Sequence, residues 1–169
     1  MAVAVPDALA PPLAGGVDCL YVDDDLLVLA KPSGLLCVPG RGPDKQDCLS
    51  HRAQQQWPGA LVVHRLDQAT SGLVLMARHL DAQRRMSHAF AERQVHKRYE
   101  AIVAGHMAAP THGDWAEINL PIAADWERRP LRVIDPVLGK PSLSRWRALA
   151  HDESADTTRI ELEAVTGRT

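Results

Sequence analysis

The segment Val63 to Gly72, VHRLDQATSG, places a histidine, an arginine and a carboxylate directly behind a short apolar run and then closes in polar turn residues. A carboxylate at the end of an apolar strand must be paired, hydrogen-bonded or exposed in a cleft to stay charged. Arg65, two positions before Asp67, would point to the same side if the strand continued. On residue types alone, Asp67 is either one half of a structural ion pair or a nucleophile. His64 and Leu66 read as supports that hold the loop, and Thr70, Ser71 and Gly72 as turn chemistry that fixes Asp67.

The surrounding pattern says what would position this segment. LLVLAK, Leu26 to Lys31, reads as a buried strand stopped by the KPSG turn, and PGRGPDKQD as a loop. Asp47 is the expected N-cap of a helix through CLSHRAQQQ, which Pro58 and Gly59 end. LVVHRLD reads as a strand, QATSG as a turn and LVLMA as the returning strand. Asp81 to Gln94 is the clearest helix, because Met86, Ala89, Phe90 and Arg93 recur at helical spacing without a proline. KRYEAIVAG and AEINLPI follow as strands, the second ended by Pro121; LRVID, LSRWRALA and TTRIELEAV then alternate apolar with polar residues. Many strands with few helices indicate an α+β domain.

Composition sets the outer bounds. A chain of 169 residues with 46% apolar and 24% charged residues fits one folded domain and not a disordered tract. Residues 1–17, rich in Pro, Ala and Gly, are expected to form a flexible leader, with order from residue 18 onward. No apolar run approaches the roughly 18 residues of a membrane span, and the start lacks a secretion signal, so a cytoplasmic monomer is expected. Cys19, Cys37 and Cys48 form no C-x-x-C pair and the histidines no ligand spacing, so neither a disulfide framework nor a metal site is expected. The net charge of −2 hides an uneven distribution: Arg78 to Arg98 and Trp126 to Arg147 are both basic stretches. They are either two solvated faces or a phosphate-binding surface, and charge does not decide between them.

HRLDQATSG resembles the H-R-L-D-x-x-T-S-G signature of the RluA-type pseudouridine synthases at every fixed position. DDLLVLAKPSGLLCVPGRG is similar to that family's strand and K-P-x-G turn, HKRYEAIVAG to its K-x-Y segment, and WERRPLRV and GKPSLSRW fall where like segments occur. The resemblance runs from about Asp18 to the last residue and includes nothing like an RNA-binding S4 domain. It implies the pseudouridine synthase catalytic fold over residues 18–169, a mixed and mostly antiparallel sheet flanked by helices and loops. It also implies a reaction without cofactor or metal, in which the glycosidic bond of a target uridine is cut, the uracil turns, and C5 is rejoined to the ribose.

Under the resemblance Asp67 is the catalytic carboxylate, acting as nucleophile or as base, and Tyr99 is the active-site tyrosine that stacks on the uracil. Arg65 fills the place the flipped base leaves, and His64, Lys97, Arg128 and Arg129 belong to the substrate-binding set. The implied partner is structured RNA: a large-subunit rRNA hairpin, a tRNA anticodon stem-loop, or both. The chain ends LEAVTGRT, where the family continues through G-R-x-H-Q and further strands. Arg168 is therefore the expected partner of the Asp67 carboxylate, and a chain lacking those strands is expected to be impaired in catalysis. Two other readings remain: a noncatalytic RNA-binding module on the same fold, and a glycoside hydrolase, which would want a second carboxylate near Asp67.

Overall fold

The computed structural model describes residues 16–108, 115–128 and 131–167. The chain divides into two compact units, residues 1–92 and 93–169. Most of the expected leader lies outside the described residues; among the described residues, regular structure starts with Asp18.

The first unit carries a four-stranded antiparallel sheet in the order β1-β2-β4-β3. Its strands are β1 (Asp18–Val22), β2 (Leu26–Lys31), β3 (Leu61–Val62) and β4 (Gly72–Ala77), with helices α1 (Leu49–Gln56) and α2 (Leu80–Ala91). Strand β2 is central, and its pleat sends Leu27, Leu29 and Lys31 to the core side, all 2% exposed or less. Opposite them on β4 stand Met76, Val74 and Gly72 in register. Leu35, Cys37, Leu49, Ala53 and Ala60 complete the core, and Leu66 packs against it.

Three local expectations are corrected. Strand β3 ends at Val62, so the HRLD segment is irregular chain and not a strand end. The N-cap of α1 is Cys48, without a side-chain cap bond, because the Asp47 carboxylate is drawn into a two-point pair with Arg52 at 2.7 and 2.6 Å. Helix α2 stops at Ala91, short of Gln94, and Arg93 takes a positive φ of 58°. At its other end the His79 ring accepts the Ala82 N–H at 3.3 Å, a cap that residue preferences do not favour.

The second unit is a five-stranded antiparallel sheet in the order β5-β9-β8-β6-β7. It comprises β5 (Arg98–Ala104), β6 (Ala116–Ala124), β7 (Arg132–Ile134), β8 (Lys140–Asp152) and β9 (Thr157–Ala164). Pro121 does not end β6 as expected. It stands opposite Pro141 of β8, a row in which neither residue has an amide to offer, and its carbonyl accepts the Asp135 N–H at 3.0 Å.

Register sorts the faces of this sheet. Tyr99, Leu162, Trp146 and Ala116 form one row, and the adjacent row, on the opposite face, reads Arg98, Glu163, Arg145, Glu117. Glu161, only 12% exposed at its side chain, pairs with Arg98 at 3.2 Å and with Arg147 at 2.6 Å, and both guanidinium groups lie over the Trp115 ring. Arg145 pairs with Glu117 at 3.0 Å and Arg159 with Glu100. Arg98, Arg145 and Arg147 of the basic stretches are thus paired with glutamates across strands.

Removing the inward side chain at the middle of β2 should destabilise the first unit most directly. Leu29→Ala is expected to cost about 2 to 5 kcal/mol, read as a lower urea midpoint of the unfolding transition that reports on this unit.

Candidate active site

The HRLD segment is held from below by a charge inside the core. Lys31 occupies the last inward position of β2, where the strand period leaves its stem among apolar neighbours and its ammonium out of water. That ammonium donates to three carbonyls: Leu35 at 2.7 Å, Pro32 at 2.9 Å and Gln68 at 3.1 Å. The first two belong to the KPSG turn and its continuation; the third belongs to the residue after Asp67. The two turns are further laced together by Gly34 N–H to Gln68 O at 2.8 Å, Gln68 Nε2 to Gly34 O at 3.0 Å and Ser33 Oγ to Ala69 O at 2.7 Å.

This lacing fixes the reactive-looking side chain. The Thr70 N–H donates to Asp67 O at 3.1 Å, closing a turn with Asp67 at its head. Among the described residues of the first unit no hydrogen bond engages the Asp67 carboxylate, which is exposed, as is Arg65 two positions before it. Gly72 closes the segment at φ 134°, a conformation open to glycine and strained for other residues. Leu66, between Arg65 and Asp67, turns into the core and alternates with them. His64 is a brace: its Nε2 accepts the Leu75 N–H at 3.0 Å and its ring stacks on Phe90 at 4.4 Å.

Burial pushes the Lys31 ammonium below its ordinary value of 10.5, while the nearby Cys37 sulfur and Asp67 carboxylate pull it back. Burial likewise raises the Cys37 thiol, opposed by the Leu66 N–H that donates to it and by the positive charges of Lys31 and Arg65. A buried cation whose donors are met by carbonyls is a rigid foundation, since each carbonyl would otherwise lose a partner.

In the second unit Tyr99 lies half-buried in β5, in register with Leu162, on the face away from the charge ladder. The Lys97 ammonium lies where a side chain on Gly167 would begin, 2.8 Å from that position, and Gly167 takes a positive φ of 59°. Thr166 is pinned to β8 by its N–H to Leu143 O at 3.2 Å and by the Leu143 N–H to its Oγ1 at 3.1 Å. Lys97 is therefore set against the turn that leads to Arg168, itself outside the described residues. Arg128 is exposed and paired with Asp125 at 2.8 Å, and Arg129 lies outside the described residues. Sequence reasoning missed Lys31 as a site residue, although the spacing Leu27, Leu29, Lys31 already put it on the inward side.

Comparison with known proteins bears directly on this arrangement. The family model for RNA pseudouridylate synthase matches residues 25–169, which include Lys31, the HRLD turn and β5 to β9. The chain belongs to the RNA pseudouridylate synthase family. It is 41% identical over 158 residues to the dual-specificity RNA pseudouridine synthase RluA of Haemophilus influenzae, covering 94% of this chain and 70% of the relative. Its identity to the protein of that name from Pasteurella multocida is 40%, with the same coverage. Among solved structures it is similar to human RNA Pseudouridylate Synthase Domain Containing 1, with a TM-score of 0.74, 26% identity, and coverage of 95% of this chain and 64% of that one. The expected α+β pseudouridine synthase fold is that of the family, an isomerase family that converts uridine to pseudouridine in RNA.

Replacing Lys31 by Met keeps the stem and removes the donors. Lys31→Met is expected to cost about 2 to 4 kcal/mol in urea unfolding. In the parent the folded lysine titrates below 10.5 and the unfolded one near it, so between those values the unfolded chain holds more protons and stability rises with pH. The variant should lack that alkaline rise, which a pH series of unfolding curves measures.

Proposed function

We propose that this chain carries out the pseudouridine synthase reaction on structured RNA, with Asp67 as the carboxylate that acts on the target nucleotide. The observation that carries the reading is the exposed Asp67 at the head of a turn whose Gln68 carbonyl is tied to a buried cation, inside a segment that resembles the family's signature and lies within the matched residues. An isomerisation within one nucleotide needs a positioned carboxylate and room to take the base out of its stack. In this reading the carboxylate attacks the sugar or removes a proton from it, and the glycosidic bond breaks. The uracil, freed with its N1 electron pair, turns; its C5 joins C1′ as the carboxylate is released or the sugar takes its proton back, N1 picks up a proton, and the C5 hydrogen leaves to water as a proton.

Arg65, exposed beside Asp67, fills the gap in the RNA stack, its planar guanidinium standing in for the flipped base. Tyr99 stacks on the uracil, and Arg168 is the residue assigned as partner of the Asp67 carboxylate. His64 serves as a brace of the loop, as its contacts with Leu75 and Phe90 suggest, and Lys97 stands against the Gly167 turn. Arg128 and Arg129 meet the RNA backbone. No cofactor or metal enters the scheme. The relatives are named dual-specificity RNA pseudouridine synthases, which favours two RNA substrates here, a large-subunit rRNA hairpin and a tRNA anticodon stem-loop being the first two to try. The protein works as a cytoplasmic monomer.

The test uses both RNAs transcribed with tritium at C5 of uridine. The parent should release tritium to water, more slowly than a relative that carries the family's further strands, and Asp67→Asn should lower the rate by at least about 1,000-fold while leaving RNA binding within about twofold. Equal release by parent and variant would remove Asp67 from the chemistry. Salt-sensitive binding without release from either RNA would favour a noncatalytic RNA-binding module.

A further inference from the structure

The register of the second sheet separates its charges by face. Every arginine and glutamate of β5, β6, β8 and β9 stands on the side away from Tyr99, where Arg98, Arg145, Arg147 and Arg159 are paired with glutamates. Among the described strand residues of this sheet, the Tyr99 face carries no carboxylate.

Lys140 stands on that face. It opens β8 in register with Ile122 of β6, which shares its side of β6 with Ala116, the end of the Tyr99 row, and which in turn faces Ile134 of β7. From Trp146 of the Tyr99 row to Lys140 the ladder of β8 with β6 runs without a bulge, a span of roughly 20 Å. Lys140 is exposed, and its ammonium makes no hydrogen bond or ion pair among the described residues.

The turn that delivers Lys140 is fixed. One Asp135 carboxylate oxygen accepts the Val137 N–H at 2.8 Å and the Leu138 N–H at 2.9 Å. The Asp135 N–H donates to Pro121 O at 3.0 Å, and the Gly139 N–H donates to Asp135 O at 2.9 Å. A side chain on Gly139 would begin 2.6 Å from the Pro121 backbone, so only glycine passes there. An ammonium without an internal partner, on a face without carboxylates, keeps its attraction for an anion. The reading of Tyr99 under the target base lays the RNA strand along this face, and a cation roughly 20 Å farther on meets its backbone beyond the flipped nucleotide.

We propose that Lys140 is a phosphate contact for the RNA substrate, holding the backbone on the Tyr99 face at a distance from the target uridine. The inference rests on the reading of RNA as the substrate and of Tyr99 as its stacking residue. An acidic protein segment could meet the same cation, but the RNA affinity would then not depend on Lys140.

Fluorescence anisotropy of the anticodon stem-loop and the rRNA hairpin, over a series of salt concentrations, tests this with Lys140→Gln and Lys140→Arg. Loss of one phosphate contact lowers the slope of log affinity against log salt by about 0.7 to 0.9, which at about 0.1 M salt is an affinity about 5- to 8-fold weaker. Lys140→Gln should show both changes at an unchanged urea midpoint, and Lys140→Arg, which keeps the charge, should show neither. Affinity of Lys140→Gln within about twofold of a parent that binds RNA, or a weaker affinity at unchanged slope, would overturn the phosphate contact and leave the synthase reading standing. A folded parent that binds neither RNA would overturn both.

Discussion

The site depends on one buried cation. Lys31 stands where the pleat of β2 would place a third apolar side chain after Leu27 and Leu29, and the core accepts it because its three donors meet the carbonyls of Pro32, Leu35 and Gln68. Those carbonyls come from two turns distant in sequence, so the ammonium joins them more tightly than either turn could hold itself. Asp67 inherits the benefit. It can stay exposed, with no bond to its carboxylate among the described residues of the first unit, because its backbone neighbour is anchored. A carboxylate tied down by its own side chain would be placed but less available; one tied down through the next peptide is placed and open.

The second unit solves a different problem with the same economy. Its sheet sets glutamates against arginines across neighbouring strands, and Glu161 gathers Arg98 and Arg147 over the Trp115 ring. A half-exposed sheet face gains order from such a network at the cost of charge that would otherwise attract phosphate. The net charge of −2 is therefore no argument against an RNA partner, and the basic stretches are weaker arguments for one than their composition suggests.

Strand period and turn chemistry were enough to read β2, β4, α1, α2 and the three-strand succession at the end of the chain. Boundaries failed where side chains found tertiary partners: Asp47 left its capping role for Arg52, and Pro121 sits within β6 because Pro141 faces it. The HRLD segment read as a strand because it follows directly on the apolar run LVV, yet Leu66 alone continues into the core while the segment is laced to the KPSG turn instead of to a strand. Asp67 was visible as a charge out of place. Lys31 was not, since a lysine before a proline reads as the end of a strand, and only its register with Leu27 and Leu29 shows that it points inward.

Amide hydrogen exchange at Gly34 and Thr70 tests the account of the anchored turn most directly. The Gly34 N–H crosses from the KPSG turn to Gln68, and the Thr70 N–H closes the turn headed by Asp67. If the buried lysine makes the two turns one unit with the core, both amides should exchange as slowly as the β2–β4 ladder and open together with it. Exchange at the rate of an unprotected loop, while the ladder stays closed, would show that Asp67 sits on a loose segment and would contradict the account.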